Sequence, residues 1–312
     1  MNKRETMMKF LDSTERPASV PAAFFLHFDP AFHAGRAAVD KHLEFFRFTD
    51  MDFVKIQLEH PMPKVEIRKP ADWDKVASFG KDFWKEPASV VKGIVEAARK
   101  EALVVQTLYS PFMLANDIAG METVGKHIRE DPLAFKRGLA ALTEGMLIFV
   151  RECIDIGLDG FYASTQGGES GRLTGAGDFD QFVRPYDLEI LGEIDRRCAF
   201  NILHVCDYHL PYADLSPFAD YPGHVVNTNL KLVGKELPAK KAFELFGRPF
   251  MGGMERKGII TKGPPEAIKR AVDEVIASAP ERFILGADCT IPPETPWENL
   301  RIAIKAAHDH RR

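Results

Sequence analysis

The chain has 312 residues, with 45 acidic against 41 basic side chains, a formal net charge of −4 and a pI near 6.2. That balance excludes a general binder of the phosphate backbone, which carries a basic excess. A content of 45% hydrophobic and 28% charged residues excludes a disordered, collagen-like or disulfide-scaffold chain. No run approaches the roughly 20 apolar residues needed to cross a bilayer. Met1–Pro17 mixes Lys3, Arg4, Glu5, Asp12 and Glu15 and has no apolar signal-peptide core. The expectation is a cytoplasmic protein with neither nucleic acid nor membrane as partner. Its four cysteines, Cys153, Cys198, Cys206 and Cys289, are then thiols or metal ligands rather than disulfides.

Along the chain, short apolar runs alternate with longer helical patterns. The strands are predicted at Phe24–Phe28, Phe53–Gln57, Leu103–Leu108, Gly160–Ser164, Phe200–Val205, Val225–Asn229, Arg248–Met254 and Arg282–Asp288. Most are near-continuous apolar runs, as in a parallel sheet covered on both faces. Helices are predicted at Pro87–Lys100, Pro132–Ile156, Ala239–Leu245, Pro264–Ala279 and Pro296–His308, the last with Thr295 as N-cap. Eight strands alternating with helices give a single (β/α)8 barrel over residues 1–312, with an N-terminal extension. The stretch Pro61–Pro87, with four prolines and several charges, reads as an insertion after the second strand that lies over the barrel mouth. A doubly wound sheet is the rival, but no G-x-G-x-x-G follows the first strand.

Functional residues of such a barrel sit at the C-terminal ends of strands. The fifth strand ends Leu203-His204-Val205-Cys206, and residues two apart on a strand face the same way. The eighth ends Ala287-Asp288-Cys289 at the same rim. His204, Cys206 and Cys289 therefore form a catalytic-type zinc set, three ligands with one exchangeable position. Against this stands the bland alternative, in which the cysteines are small hydrophobes and the histidine a hydrogen-bonded core residue.

Thr107-Leu108-Tyr109-Ser110-Pro111-Phe112, Gly160-Phe161, Phe179-Asp180-Gln181-Phe182-Val183-Arg184-Pro185-Tyr186 and Gly286-Ala287-Asp288-Cys289-Thr290-Ile291-Pro292-Pro293 resemble the uroporphyrinogen decarboxylase-like superfamily through most of the chain. The resemblance implies a (β/α)8 barrel and one of two chemistries. One is metal-free decarboxylation of porphyrinogen acetates. The other is zinc-dependent methyl transfer between a corrinoid and a thiol of the coenzyme M type, with an H-x-C motif and a distant cysteine as ligands. His204, Cys206 and Cys289 match the second pattern. Three positions depart from the first: its R-Q-A-G-R stretch is Phe32-His33-Ala34-Gly35-Arg36 here, its F-S-D aspartate falls at Gln57 or Glu59, and its late histidine at Cys289. The methyltransferase branch also has an acidic fourth ligand, for which Gln166 and Glu169 are the candidates.

The resemblance implies Zn2+ as cofactor and methylcobalamin or another corrinoid as methyl donor, carried on a partner protein. It further implies a small thiol acceptor and a homodimer. A carboxy-lyase using Arg36, and a non-enzymatic tetrapyrrole or corrinoid binder, are the alternatives. His27, Gln57, Tyr109, Gln166 and Asn229 are candidate substrate contacts at strand ends, with Asp207 and Asp288 flanking the ligands. His33, His42, His60, His127 and His224 read as surface or loop residues, His308-Asp309-His310 as a frayed end, and Cys153 and Cys198 as packed thiols.

Overall fold

Seven of the apolar runs become neighbouring strands of one curled parallel sheet. The computed structural model describes residues 2–12, 18–77 and 79–310. Its strands are β1 (Phe53–Ile56), β2 (Leu103–Tyr109), β3 (Gly160–Thr165), β4 (Ile202–Val205), β5 (Val225–Thr228), β8 (Phe250–Met254) and β9 (Phe283–Ala287), with β6 (Lys231–Leu232) and β7 (Lys235–Glu236) forming a small antiparallel pair. The sheet runs β1-β2-β3-β4-β5-β8-β9, all parallel. Most of its residues are buried, which accounts for the unbroken apolar runs.

The expected first strand is corrected. Phe24–Phe28 is not in the sheet, so among the described residues the parallel sheet has seven strands. Pro21–Leu26 instead touches both sheet edges. Leu285 N donates to Pro21 O (2.8 Å), Ala23 N to Leu285 O (3.0 Å), and Asp52 N, just before β1, to Ala22 O (3.0 Å). The bridges to the β9 side pair Ala22 with Leu285 and Leu26 with Ile291. The bridged residues are four positions apart on one side and six on the other, so no continuous ladder forms.

The helices are α1 (Lys3–Leu11), α2 (Gly35–Thr49), α3 (Lys81–Ala98), α4 (Pro111–Ala119), α5 (Met121–Glu130), α6 (Pro132–Ile156), α7 (Asp178–Phe182), α8 (Arg184–Arg197), α9 (Ala239–Phe246), α10 (Ile259–Lys262), α11 (Pro265–Ser278) and α12 (Trp297–Asp309). Neighbours pack in the sequence α11, α12, α2, α3, α6, α8. α6 is bounded by the Asp131 side chain, which accepts from Ala134 N, and by Gly157 at φ 96°. α3 starts six residues before its expected position, because Trp84 extends the buried face of Ala88, Val91 and Val95 by one turn. Trp84 stacks on Phe149 of α6 and donates to Gly145 O at 2.8 Å. Thr295 is buried without a capping bond, and Pro296 holds the N-cap position.

The stretch after β1 has no regular element until a short 3-10 turn at Pro70–Lys75. Trp73 of that turn packs on Phe135 of α6 and donates to His127 at 3.1 Å, so this part joins the helical layer. α1 is tied to the opposite end of the sheet: Arg4 pairs with Asp159 before β3, and Arg282 before β9 donates to the Phe10 and Leu11 carbonyls. Met1 and Ser13–Pro17 of the N-terminal stretch lie outside the described residues. Between the sheet's two ends Phe25, Phe53, Phe200 and Tyr162 fill the interior, with ring centroids 4.9–5.7 Å apart. This aromatic plug is the floor on which the polar residues of the C-terminal end rest.

Candidate metal centre

Side-chain alternation brings one row of polar residues to the mouth above that floor. Lys55 and Gln57 come from β1, Thr107 and Tyr109 from β2, Tyr162, Ser164 and Gln166 from β3, His204 and Cys206 from β4, and Cys289 from just past β9. The ligand atoms of His204, Cys206 and Cys289 all lie within 4.8 Å of one another, and all three residues are buried. Cys289 Sγ is 3.4 Å from His204 Nε2. Tetrahedral zinc with Zn–S of about 2.3 Å and Zn–N of about 2.0–2.1 Å spaces its ligand atoms by about 3.5–3.8 Å. The donor set fits zinc, and the 3.4 Å between Cys289 Sγ and His204 Nε2 is close to that spacing.

The mutual hydrogen bond of the two thiols pulls Cys289 well down, helped by His204, and pushes Cys206 well up together with burial. Gln166 Nε2 donates toward Cys206 Sγ at 3.4 Å. Tyr162 supports the His204 ring from beneath, with centroids 4.9 Å apart, and bonds Asn227 through its hydroxyl.

Lys55 is the unexpected cation of the mouth. It is 6% exposed, and its Nζ lies 4.8 and 4.6 Å from the Phe25 and Tyr162 ring centroids and 2.6 Å from Gln57 Oε1. Burial lowers it to about 7, against the attraction of Cys289, Glu59 and Cys206. Gln57 also donates to Leu26 O at 2.7 Å and accepts from Thr107. Its backbone N–H goes to Nε2 of His42, which burial lowers to about 4 and keeps neutral.

The other expected residues are placed as follows. Tyr109 packs with Met113 against the two sulfurs, and its hydroxyl is held protonated by burial. His27 is at the rim, bonded to Glu59 at 2.9 Å. Asn229 is already engaged by Asp207 at 2.6 Å and by Lys231 N. Glu169 is not in the ligand group; one carboxylate oxygen accepts from Gly167 N and the other is buried without a protein partner. Burial pushes its carboxyl up from the ordinary value, despite the bonds from the Glu169 and Gly167 N–H groups. Arg36 is exposed in α2 and pairs with Asp40, away from the row of mouth residues. His42 and His127 are buried structural residues rather than surface ones, and His308 is anchored to Asp52 at 2.8 Å rather than frayed. Cys153 and Cys198 are buried free thiols, as expected. A groove of about 780 Å³ lies between α3 and α6 among charged side chains and carries none of this chemistry.

Sequence reading missed Lys55 and Arg256. Lys55 is signalled by its place two residues before Gln57 on an otherwise apolar strand. Arg256 follows β8 directly, and its guanidinium meets Asp207 at 2.7 Å and Asp288 at 3.5 Å.

The sequence model described as Uroporphyrinogen decarboxylase (URO-D) matches residues 49–310, and the chain belongs to that family. It is 24% identical over 229 residues to the methylated-thiol–coenzyme M methyltransferase of Methanosarcina mazei. The match covers 70% of this chain and 58% of that protein, so the chain spans less than two thirds of the relative's length. The solved structure of a methyltransferase from Methanosarcina mazei superposes with a TM-score of 0.76 at 16% identity, covering 99% of each chain. A B12-independent methionine synthase from Shewanella, solved with selenomethionine, gives 0.58 at 10% identity, covering 94% of this chain and 97% of that one. These likenesses show a mixed α/β fold of the TIM-barrel kind.

Proposed function

We propose that the protein is a zinc-dependent methyltransferase that moves a methyl group from a corrinoid to a thiol acceptor. The observation that carries this reading is the meeting of His204 Nε2 with the Cys206 and Cys289 sulfurs in a buried mouth. The methyltransferase relative and the family match support the reaction class. In this reading residues 1–312 act as one barrel domain, with Pro21–Leu26 in the eighth position. The protein works in the cytoplasm as a homodimer, and the corrinoid arrives on a partner protein.

His204, Cys206 and Cys289 are the residues that hold the metal. Zinc bound there supplies a Lewis acid that keeps an acceptor thiol as thiolate near neutral pH. Gln166 hydrogen-bonds Cys206 Sγ and holds that sulfur in place. Tyr109 and Met113 pack against the sulfurs and exclude water. The Lys55 ammonium adds positive charge where an extra thiolate is accommodated. In the transfer the carbon–cobalt bond of the donor breaks with its electrons left on cobalt, and a sulfur lone pair forms the new carbon–sulfur bond. The carboxy-lyase alternative needs cations for a polycarboxylate, and Arg36, its expected contributor, is 83% exposed in its side chain.

The test is turnover of methylcobalamin with small thiols, followed through loss of the carbon–cobalt absorbance. Zinc-loaded protein is expected to methylate the thiol, and protein carrying Cys206→Ser or Cys289→Ser to lose both zinc and activity. Full activity in strong chelator, or release of CO2 from a porphyrinogen in its place, refutes the reading.

A further inference from the structure

Cys206 and Cys289 lie at the ends of strands that are not neighbours. β5 and β8 stand between β4 and β9, so no backbone ladder sets the distance between the sulfurs. Residues adjacent to each sulfur are instead joined by one side chain. Arg256, just past β8, donates its backbone N–H to Asp288 Oδ1 at 2.7 Å, beside Cys289. Its Nη1 donates to Asp207 Oδ1 at 2.7 Å, beside Cys206, and lies 3.5 Å from Asp288 Oδ2. Asn229, past β5, holds the other Asp207 oxygen at 2.6 Å, and Asp288 N returns to Met254 O at 2.9 Å. The side chains of Arg256, Asp207 and Asp288 are only 14%, 8% and 14% exposed. Water therefore competes weakly for these bonds, and charge-assisted pairs of this kind are among the stronger ones.

We infer that Arg256 is the positioning residue that fixes the separation of Cys206 and Cys289, and with it the affinity of the site for its metal. The inference rests on the zinc reading above. The backbone bond to Asp288 survives any substitution of the side chain, so the part under test is the tie to Asp207. A tetrahedral ion tolerates little change in the spacing of its ligand atoms, and loss of a partner behind a ligand typically weakens metal binding about 10–100-fold.

The experiment is competition for Zn2+ between the intact protein and a chromogenic chelator, with Co2+ absorption as the report on ligand geometry. Arg256→Gln is expected to weaken Zn2+ at least about tenfold and to alter the cobalt ligand-field and sulfur charge-transfer bands. Arg256→Lys is expected to lose less, because one ammonium reaches a single carboxylate. Asp207→Asn keeps the shape of its side chain and serves if Arg256→Gln does not fold; it is expected to weaken Zn2+ in the same direction. The double variant is expected to be within about twofold of the weaker single variant, since both changes break one tie. Wild-type affinity and bands in Arg256→Gln, or additive losses in the double variant, overturn the inference and leave the zinc reading standing. Failure of the wild-type protein to take up Zn2+ or Co2+ overturns both.

Discussion

Replacing Lys55 with methionine is expected to stabilise the fold at mildly acid pH, although it removes a hydrogen bond. The ammonium is buried over two rings, and its protonation falls from an ordinary 10.5 to about 7. Each unit is about 1.4 kcal/mol, so carrying the charge inside costs about 5 kcal/mol. Imperfect packing of the substituted side chain offsets about 2 kcal/mol of this, leaving a net gain of about 3 kcal/mol. Between pH 7 and 10.5 the unfolded lysine keeps a proton that the folded one has released, so this group's contribution to stability rises with pH across that window. Below about 7 both states are protonated and the cost is borne in full. Methionine fills a similar volume, and Gln57 keeps its own bond to Leu26 O. Urea unfolding at pH 6, 8 and 9.5, with chelator present so that metal linkage is equal, should show Lys55→Met more stable by about 3 kcal/mol at pH 6, with the gap closing toward pH 9.5. A gap that does not change with pH, or a variant less stable at pH 6, refutes the reasoning. The same variant should lose methyl transfer, since the charge is where the proposed thiolate is accommodated.

Two other perturbations test the frame around the site. Burial lowers the His308 imidazole, but its bond to Asp52 outweighs this and the net shift is upward. Its stabilisation is then fully present below about 6.5 and lost as pH rises through the raised folded value, so His308→Gln should cost about 1 kcal/mol at pH 5.5 and nothing at pH 9. A gap widening toward alkaline pH in the same unfolding assay contradicts this. A Cβ at Gly160 would stand 1.8 Å from the Phe200 carbonyl oxygen, which is backbone and cannot swing aside. Gly160→Ala should therefore cost at least about 3 kcal/mol by forcing β3 from the turn before β4, and a melting temperature near that of the wild type would show the approach to be looser.

The meeting of His204, Cys206 and Cys289 was legible because strand alternation is rigid. Two residues apart on a run that is buried on both faces, His204 and Cys206 have to share a face, and Cys289 ends a second run of the same kind. The helix Pro132–Ile156 was legible to the residue, since Asp131-Pro132 starts it and Gly157 ends it. The first strand was misread because Phe24–Phe28 is as apolar as a sheet strand; what denies it a ladder is the mismatched spacing of its two bridges, a property of its partner. His42 and His127 read as surface residues because histidine spacing carries no sign of the backbone and indole groups that satisfy them. Lys55 and Arg256 were missed for a related reason: a charged side chain reads as solvated until its tertiary neighbours, here two rings and two aspartates, are known.

The central claim is the metal. Elemental analysis of protein purified without a histidine tag tests it directly. The account predicts about one zinc per chain, lost in Cys206→Ser and Cys289→Ser and retained in Cys198→Ser, whose thiol burial pushes up to about 12. Metal-free protein with full activity, or zinc retained after both site cysteines are replaced, would contradict it.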